Sequence, residues 1–566
     1  MKLEREKTIS IKYFDMEEVS LAGFLNFCKN NLPLILAVSV TLFFAYGIRL
    51  FCHSIGIDIE LFMVNRAEKN QWSLMIGRFG LVLLSSIWRI NEFNPFTSFF
   101  IAFCLIWVFT ISWCYIIAIF SRNTGRNNNL IPFALVFMTM PVWVEQFYFL
   151  LQAAENAFII ALCPYVIYLM YKGFLDNERG KIICAVVLLV FMISVYQAIV
   201  PLFICGVFVS FILMQEQSDY KSAIYRNLCL KLFIALASAM AIYFIIDRIV
   251  VPAVFNIERS DYVDNMNQWR QRPVGENVRD ILLLIYMLAI GHLPFVQSIM
   301  DPILALHARA GMQAVEDLHD STLAIRTFLL APLMLVFISK IIAFVREKLP
   351  PERKFLYILA GIGIPLSILL LAIMGGSRPP IRTFYALPLA YAFMFFYCIK
   401  SSKKIVAITV TCFALFTAVY QAQITAQLFY SDRMRYNEDV RLAHRLNDMI
   451  LQVQPDDERL PVVLVGGYRM ASRLRENINF LQGQVIGHSF FDWGAGYQIH
   501  APTYQGLLFM QSLGISFDMA SSDQLIQAHR EAGLMPIFPN PGSVKRMEGF
   551  IVVKLSDWHA LYENND

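Results

Sequence analysis

Long apolar runs broken at intervals by short polar connections dominate this chain. Runs near 33–52, 97–120, 232–250, 321–343, 355–374, 384–399 and 405–423 approach or reach the roughly 20 residues that about 30 Å of hydrocarbon requires. Two other stretches are too long for one crossing. Residues 130–174 form one long apolar run interrupted at Glu145, Gln146, Gln152 and Glu155, and residues 182–214 are interrupted at Tyr196, Gln197 and Pro201. Each predicts a hairpin of two spans, which makes about eleven membrane helices in all.

The basic residues give these helices a direction. Arg122 and Arg126 follow the second span; Lys172, Arg179 and Lys181 the fourth; Lys221, Arg226 and Lys231 the sixth. Lys340, Arg346, Lys348, Arg353 and Lys354 follow the eighth, and Lys400, Lys403 and Lys404 the tenth. Every second connection is basic, so these face the cytoplasm, as does the N-terminal segment 1–31. Residues 14–28 predict an amphipathic surface helix. The outer face then carries three large regions: 53–96, 251–320 and everything after 423. Phe79–Ile87 and Ile281–Ile290 are apolar but too short to span, and they predict helices lying at the interface.

The last 140 or so residues read differently. Asn437–Leu451 has helical periodicity, Leu460–Val465 and Phe550–Leu555 read as buried strands, and Ser522–Ala532 as helix. The expected architecture is an all-α polytopic membrane domain over 32–423 and a small periplasmic α/β domain over 424–566. Composition agrees. At 57% hydrophobic and 16% charged, the 566 residues are too apolar for a soluble protein. Ten cysteines include no CxxC and none beyond Cys412, so zinc and iron–sulfur sites have no ligand pattern and the tail no disulfide. Gly466-Gly467 follows a strand without a Rossmann or P-loop pattern, and reads as a plain turn.

Candidate chemistry gathers on the outer loops. Asp58 and Glu60 follow the first span; on an extended loop they share a face, and a carboxylate there can deprotonate a sugar hydroxyl. The alternative is surface ion pairing with Arg66 or Lys69. Arg378 and Arg382 sit in Gly375-Gly-Ser-Arg-Pro-Pro-Ile-Arg382, a stiff loop suited to bidentate phosphate binding, or to anchoring at lipid headgroups. Glu145 at an outer hairpin is a candidate for a sugar hydroxyl or for a structural hydrogen bond, and Trp72 and Trp88 for stacking on a sugar face or for the interfacial belt. Asp247-Arg248 reads as an internal ion pair. His292, His307 and His319 lack metal-ligand spacing and read as interfacial.

An acidic motif in the first outer loop of a multispan chain resembles the GT-C class of polyprenyl-phosphate-dependent glycosyltransferases. More narrowly, "GIDIELFMVNRAEKNQWSLMIGRFG" (56–80) and "GGSRPPIRTFYALP" (375–388) resemble serotype-converting O-antigen glucosyltransferases. In that family an acidic pair, a downstream arginine and a Gly-Arg before an apolar helix recur, which brings Arg66 and Arg78 in beside Arg378 and Arg382 as donor-phosphate residues. Here Asp-x-Glu stands where adjacent Asp-Asp is common, so the base is either Asp58 or Glu60. The resemblance implies transfer of a sugar, most often glucose, from undecaprenyl phosphate to lipid-linked O-antigen on the periplasmic side of a bacterial inner membrane. Inversion is the implied stereochemistry. A divalent metal held by the acidic pair is left open, and the bilayer, not nucleic acid, is the implied partner. Two other classes fit a multispan chain: a transporter or flippase of lipid-linked sugars, which predicts internal repeats and mid-membrane polar residues, and a non-catalytic assembly factor.

Overall fold

A computed structural model describes residues 17–88, 94–217, 222–262, 264–289, 291, 330–349, 351–454, 458–468, 480–493 and 499–557. Among these residues six helices are long and apolar enough to cross a membrane: Leu32–Phe51, Pro95–Phe120, Leu150–Leu175, Ile199–Gln217, Ser222–Phe255 and Lys404–Val453. Leu130–Thr139 and Ala386–Lys400 are shorter apolar helices, and both are almost wholly buried.

Helix boundaries follow local chemistry. The surface helix Leu21–Asn30 starts where Ser20 Oγ accepts from the Gly23 N–H at 3.0 Å, and Pro95–Phe120 starts where Asn94 accepts from the Thr97 N–H with proline in the first turn. Both long apolar stretches divide at the expected polar residues. Glu145 and Gln146 lie on the short turn helix Val142–Phe147 between Leu130–Thr139 and Leu150–Leu175, and Tyr196-Gln197-Ala198 separates Arg179–Val195 from Ile199–Gln217. Phe79–Ile87 is a helix with the expected bounds; it packs on Arg179–Val195, where a Cβ on Gly80 would meet the backbone of Val195 at 3.0 Å. In the body, Pro95–Phe120 lies along Leu150–Leu175, Leu32–Phe51 along the last long helix, and Ile199–Gln217 along Pro351–Ile368.

Two elements differ from expectation. The last span and the Asn437–Leu451 segment are one continuous helix of 50 residues, Lys404–Val453, so the expected 423/424 junction falls inside it. At 1.5 Å per residue it runs about 75 Å, well beyond a bilayer core. Asp247 and Arg248 do not pair with each other. Asp247 pairs with Arg259, and Arg248 with Asp264 at 3.0 Å, because successive residues on a helix point apart.

The tail holds a three-stranded sheet in the order β1–β3–β2, with β1 (Val462–Val465) parallel and β2 (Val544–Arg546) antiparallel to β3 (Ile551–Lys554). Helix Ser522–Ala532, opened by a Ser521/Gln524 capping box, covers one face. Helix Ala501–Ser512, which the sequence pattern did not announce, packs between β1 and the outer-loop helix Ile59–Val64.

Candidate active site

The chain leaves the first span through His53–Ile57 and turns at Asp58, whose φ of +71° lies in the left-handed region. Aspartate tolerates that region better than most residues, and strain of this kind tends to gather at working sites. Asp58 precedes helix Ile59–Val64, yet its side chain makes no capping bond. The carboxylate opens instead into a cavity of about 540 Å³ that is also lined by Arg78, Arg382, Trp72, Tyr262 and Gln152. Because the chain becomes helical at Ile59, the two acids part. Glu60 is 2% exposed, lies outside the cavity lining, and leaves Oε2 without a partner.

Electrostatics separates the pair further. Enclosure raises the Asp58 carboxyl above its ordinary range, and the facing Arg382 guanidinium opposes that rise. Burial, with Asp58 nearby, pushes Glu60 up to about 8, so it is neutral near pH 7. Asp58 is therefore the acid of the pair that faces the cavity and Arg382.

Arg78 comes from the Gly77-Arg78 turn. Gly77 sits at φ +80°, and a Cβ there would meet the Tyr243 hydroxyl at 2.6 Å and Asp247 at 2.8 Å. Gln197 Nε2 donates to Ile76 O at 3.0 Å, and the Tyr243 hydroxyl donates to Gly77 O at 3.1 Å. Held in this way, Arg78 lies over the Tyr196 ring at 4.5 Å and donates to Gln152 Oε1 at 3.2 Å, while its Nε has no protein partner. Arg382 comes from the short turn Ile381–Thr383 and lies over Phe149 at 5.1 Å. Burial disfavours its charge, but Tyr196, Tyr262, Asp58 and Glu145 outweigh that and keep the guanidinium protonated.

The other candidates are sorted by position. Arg378 lies outside the cavity near Asp280 and Arg272, and burial lowers its pKa. Arg66 opens helix Arg66–Met75, whose later residues Trp72 and Ser73 line the cavity. Trp72 meets Tyr262 edge to face at 5.6 Å, whereas Trp88 packs on Phe158. Glu145 is fully buried. Its Oε1 accepts from the Gln484 N–H at 2.5 Å and its Oε2 from the Val485 N–H at 3.2 Å, the structural of its two expected roles. Burial raises it to about 7 against those bonds and Arg382. His292, His307 and His319 lie outside the described residues. Among the described residues no group of three or more His, Cys, Asp or Glu side chains is arranged to hold a metal.

Sequence reading missed what braces the acidic loop. Ser54 Oγ donates to Asp432 Oδ2 at 2.7 Å, Arg435 donates to Ile55 O at 3.1 Å, and the Ile57 N–H donates to the Tyr148 hydroxyl at 3.0 Å. Asp432 also pairs with Arg435 at 2.5 Å and Arg49 at 3.6 Å, and Arg435 reaches Asp439 at 3.2 Å. All four charged residues are at most 3% exposed. The one available signal was three charges, Asp432, Arg435 and Asp439, recurring at helical spacing in the second half of a long helix.

Residues 47–399, more than half of the chain, match the model of the family described as Glucosyl transferase GtrII. The chain belongs to that family. No curated protein and no solved structure matches it. As a GtrII glucosyltransferase with membrane-length apolar helices, it carries Asp58, Arg78, Glu145 and Arg382 inside the matched segment. Asp432, Arg435, Asp439 and Gln484 lie beyond it.

Proposed function

We propose that the chain moves glucose from undecaprenyl phosphate to a lipid-linked O-antigen repeat on the periplasmic face of a bacterial inner membrane. One observation carries this reading: a single cavity joins a carboxylate left free of capping duty to two guanidinium groups from separate elements. In the reaction the acceptor hydroxyl oxygen bonds to the anomeric carbon, the bond from that carbon to the carrier phosphate breaks, and Asp58 takes the hydroxyl proton. Arg78 and Arg382 meet the charge gathering on the departing phosphate. A single displacement inverts the anomeric centre.

The other roles follow from position. Trp72 with Tyr262 offers an aromatic surface to a sugar face, and Gln152 a polar edge for its hydroxyls. The alternation of basic connections supports a periplasmic cavity, with the chain crossing about eleven times and the tail outside. Among the tail aromatics, Tyr504 is exposed on the helix packed against Ile59–Val64 and suits the acceptor, while Tyr468 and Trp493 pack on Phe538 and His488.

The test is transfer by the purified protein from synthetic polyprenyl-phosphate glucose to a lipid-linked glycan. A glucosylated acceptor with inverted anomeric configuration is expected. If the donor merely crosses vesicle membranes and no product forms, the chain is a carrier and not a transferase.

A further inference from the structure

Loop 481–490 lies outside the segment matched to the family, yet its polar atoms are bound to the elements that carry the site. Pro379 and Pro380 stiffen the approach to the arginine turn but have no N–H, so Ile381 supplies the first backbone donor by which that turn can be pinned. Gln484 Oε1 accepts from this N–H at 2.9 Å, and the Gln484 N–H donates to the buried Glu145 at 2.5 Å. Further along the loop, the Ser489 hydroxyl and Phe490 N–H donate to Asp439 at 2.5 and 3.2 Å, and the Gly487 N–H to Asp432 at 3.4 Å. Those two aspartates also hold Arg435, whose guanidinium reaches Ile55 near Asp58. One tail loop thus ties the arginine turn and the acidic loop to the same frame.

A two-pronged guanidinium recognises phosphate only when its fork is held to within about 10–20°. We infer that Gln484 is a positioning residue, fixing the Ile381–Thr383 turn so that Arg382 meets the donor phosphate, and that the tail thereby completes the donor site. The inference rests on the assignment of Arg382 to the donor phosphate. It gives the tail a second duty beside acceptor choice.

The experiment measures donor and acceptor KM and kcat for the purified full chain carrying Gln484→Leu, Arg382→Ala or both. Gln484→Leu is expected to raise donor KM about tenfold, the loss typical of one buried hydrogen bond, with acceptor KM unchanged. On the Arg382→Ala background the same substitution should add nothing, because it acts through that guanidinium. Should Gln484→Leu fail to accumulate, Gln484→Asn draws the acceptor oxygen back by one methylene and is read in the same way. Equal losses on both backgrounds, or a parallel rise in acceptor KM, would overturn the positioning role. Unchanged donor KM in Gln484→Leu with Arg382→Ala still impaired overturns this inference alone. Unchanged donor KM in Arg382→Ala overturns the phosphate assignment as well.

Discussion

Asp58 and Glu60 are two residues apart and live in different media. Asp58 faces the cavity and Arg382, while Glu60 is buried and held neutral up to about pH 8. Replacing Asp58 by Asn removes the proposed proton acceptor without changing the shape of the turn, and a rate loss of roughly 10²–10⁴ is expected with donor affinity retained. Wild-type turnover in Asp58→Asn would remove it as the base. Glu60 makes a different, pH-dependent prediction. Its folded pKa lies above the ordinary 4.5, so the folded state binds the proton more tightly. The stability this contributes is complete below the unfolded pKa and is lost as pH rises through about 8. Glu60→Gln, which is always neutral, should therefore gain in melting temperature over the wild type between pH 5 and pH 8; a constant difference would show that Glu60 does not titrate in that window. Arg382→Lys keeps the charge but loses the fork, and partial recovery of donor affinity relative to Arg382→Ala is expected in binding measurements.

At the scale of elements, the site is built where helices end. The Gly77-Arg78 turn combines a positive φ with a close approach to Tyr243, so Gly77→Ala meets both backbone strain and a clash. The variant should fold with Arg78 displaced, and its donor affinity should fall further than that of Gly80→Ala is lowered by repacking alone. The acidic loop depends on the buried network in helix Lys404–Val453. Asp432→Ala leaves Arg49 and Arg435 buried without their shared partner, and breaking a buried pair in this way costs about 3–5 kcal/mol. Thermal unfolding in detergent should show that loss; an unchanged melting temperature would mean water replaces the carboxylate. Most of these helices were legible beforehand. Phe79–Ile87 and Ser522–Ala532 appear with their expected bounds because apolar periodicity and capping residues act locally. The fusion of the last span with Asn437–Leu451 was not legible, because polarity changes at the membrane surface while helical backbone geometry continues unchanged.

At the scale of the whole molecule, sidedness decides which substrates the cavity can meet. Periplasm-only reporters joined at residues 260 and 458 should be active and those at 125 and 225 silent. The reverse pattern would move the cavity to the cytoplasmic face and remove lipid-linked donors as the natural choice. Tyr504→Ala should weaken acceptor KM and leave donor binding intact, which separates the acceptor surface from loop 481–490 of the same tail.

The linear chain by itself determined the membrane character, the breaks at Glu145 and Tyr196, two of the three strands of the tail and the two motifs that bear Asp58 and Arg382. Each is set by composition or by periodicity within one or two dozen residues, where solvent and backbone geometry act directly. Only the tertiary structure decided which members of those motifs meet. It put Arg78 and Arg382 into one cavity with Asp58, moved Arg378 away, buried Glu60, and gave Glu145 to the tail. It also brought Gln484 to Ile381 across 103 residues and Asp432 to Ser54 across 378. Such contacts have no local signature. A buried carboxylate or guanidinium is stable only when a partner is at hand, and which distant residue supplies it is settled by how the helices pack.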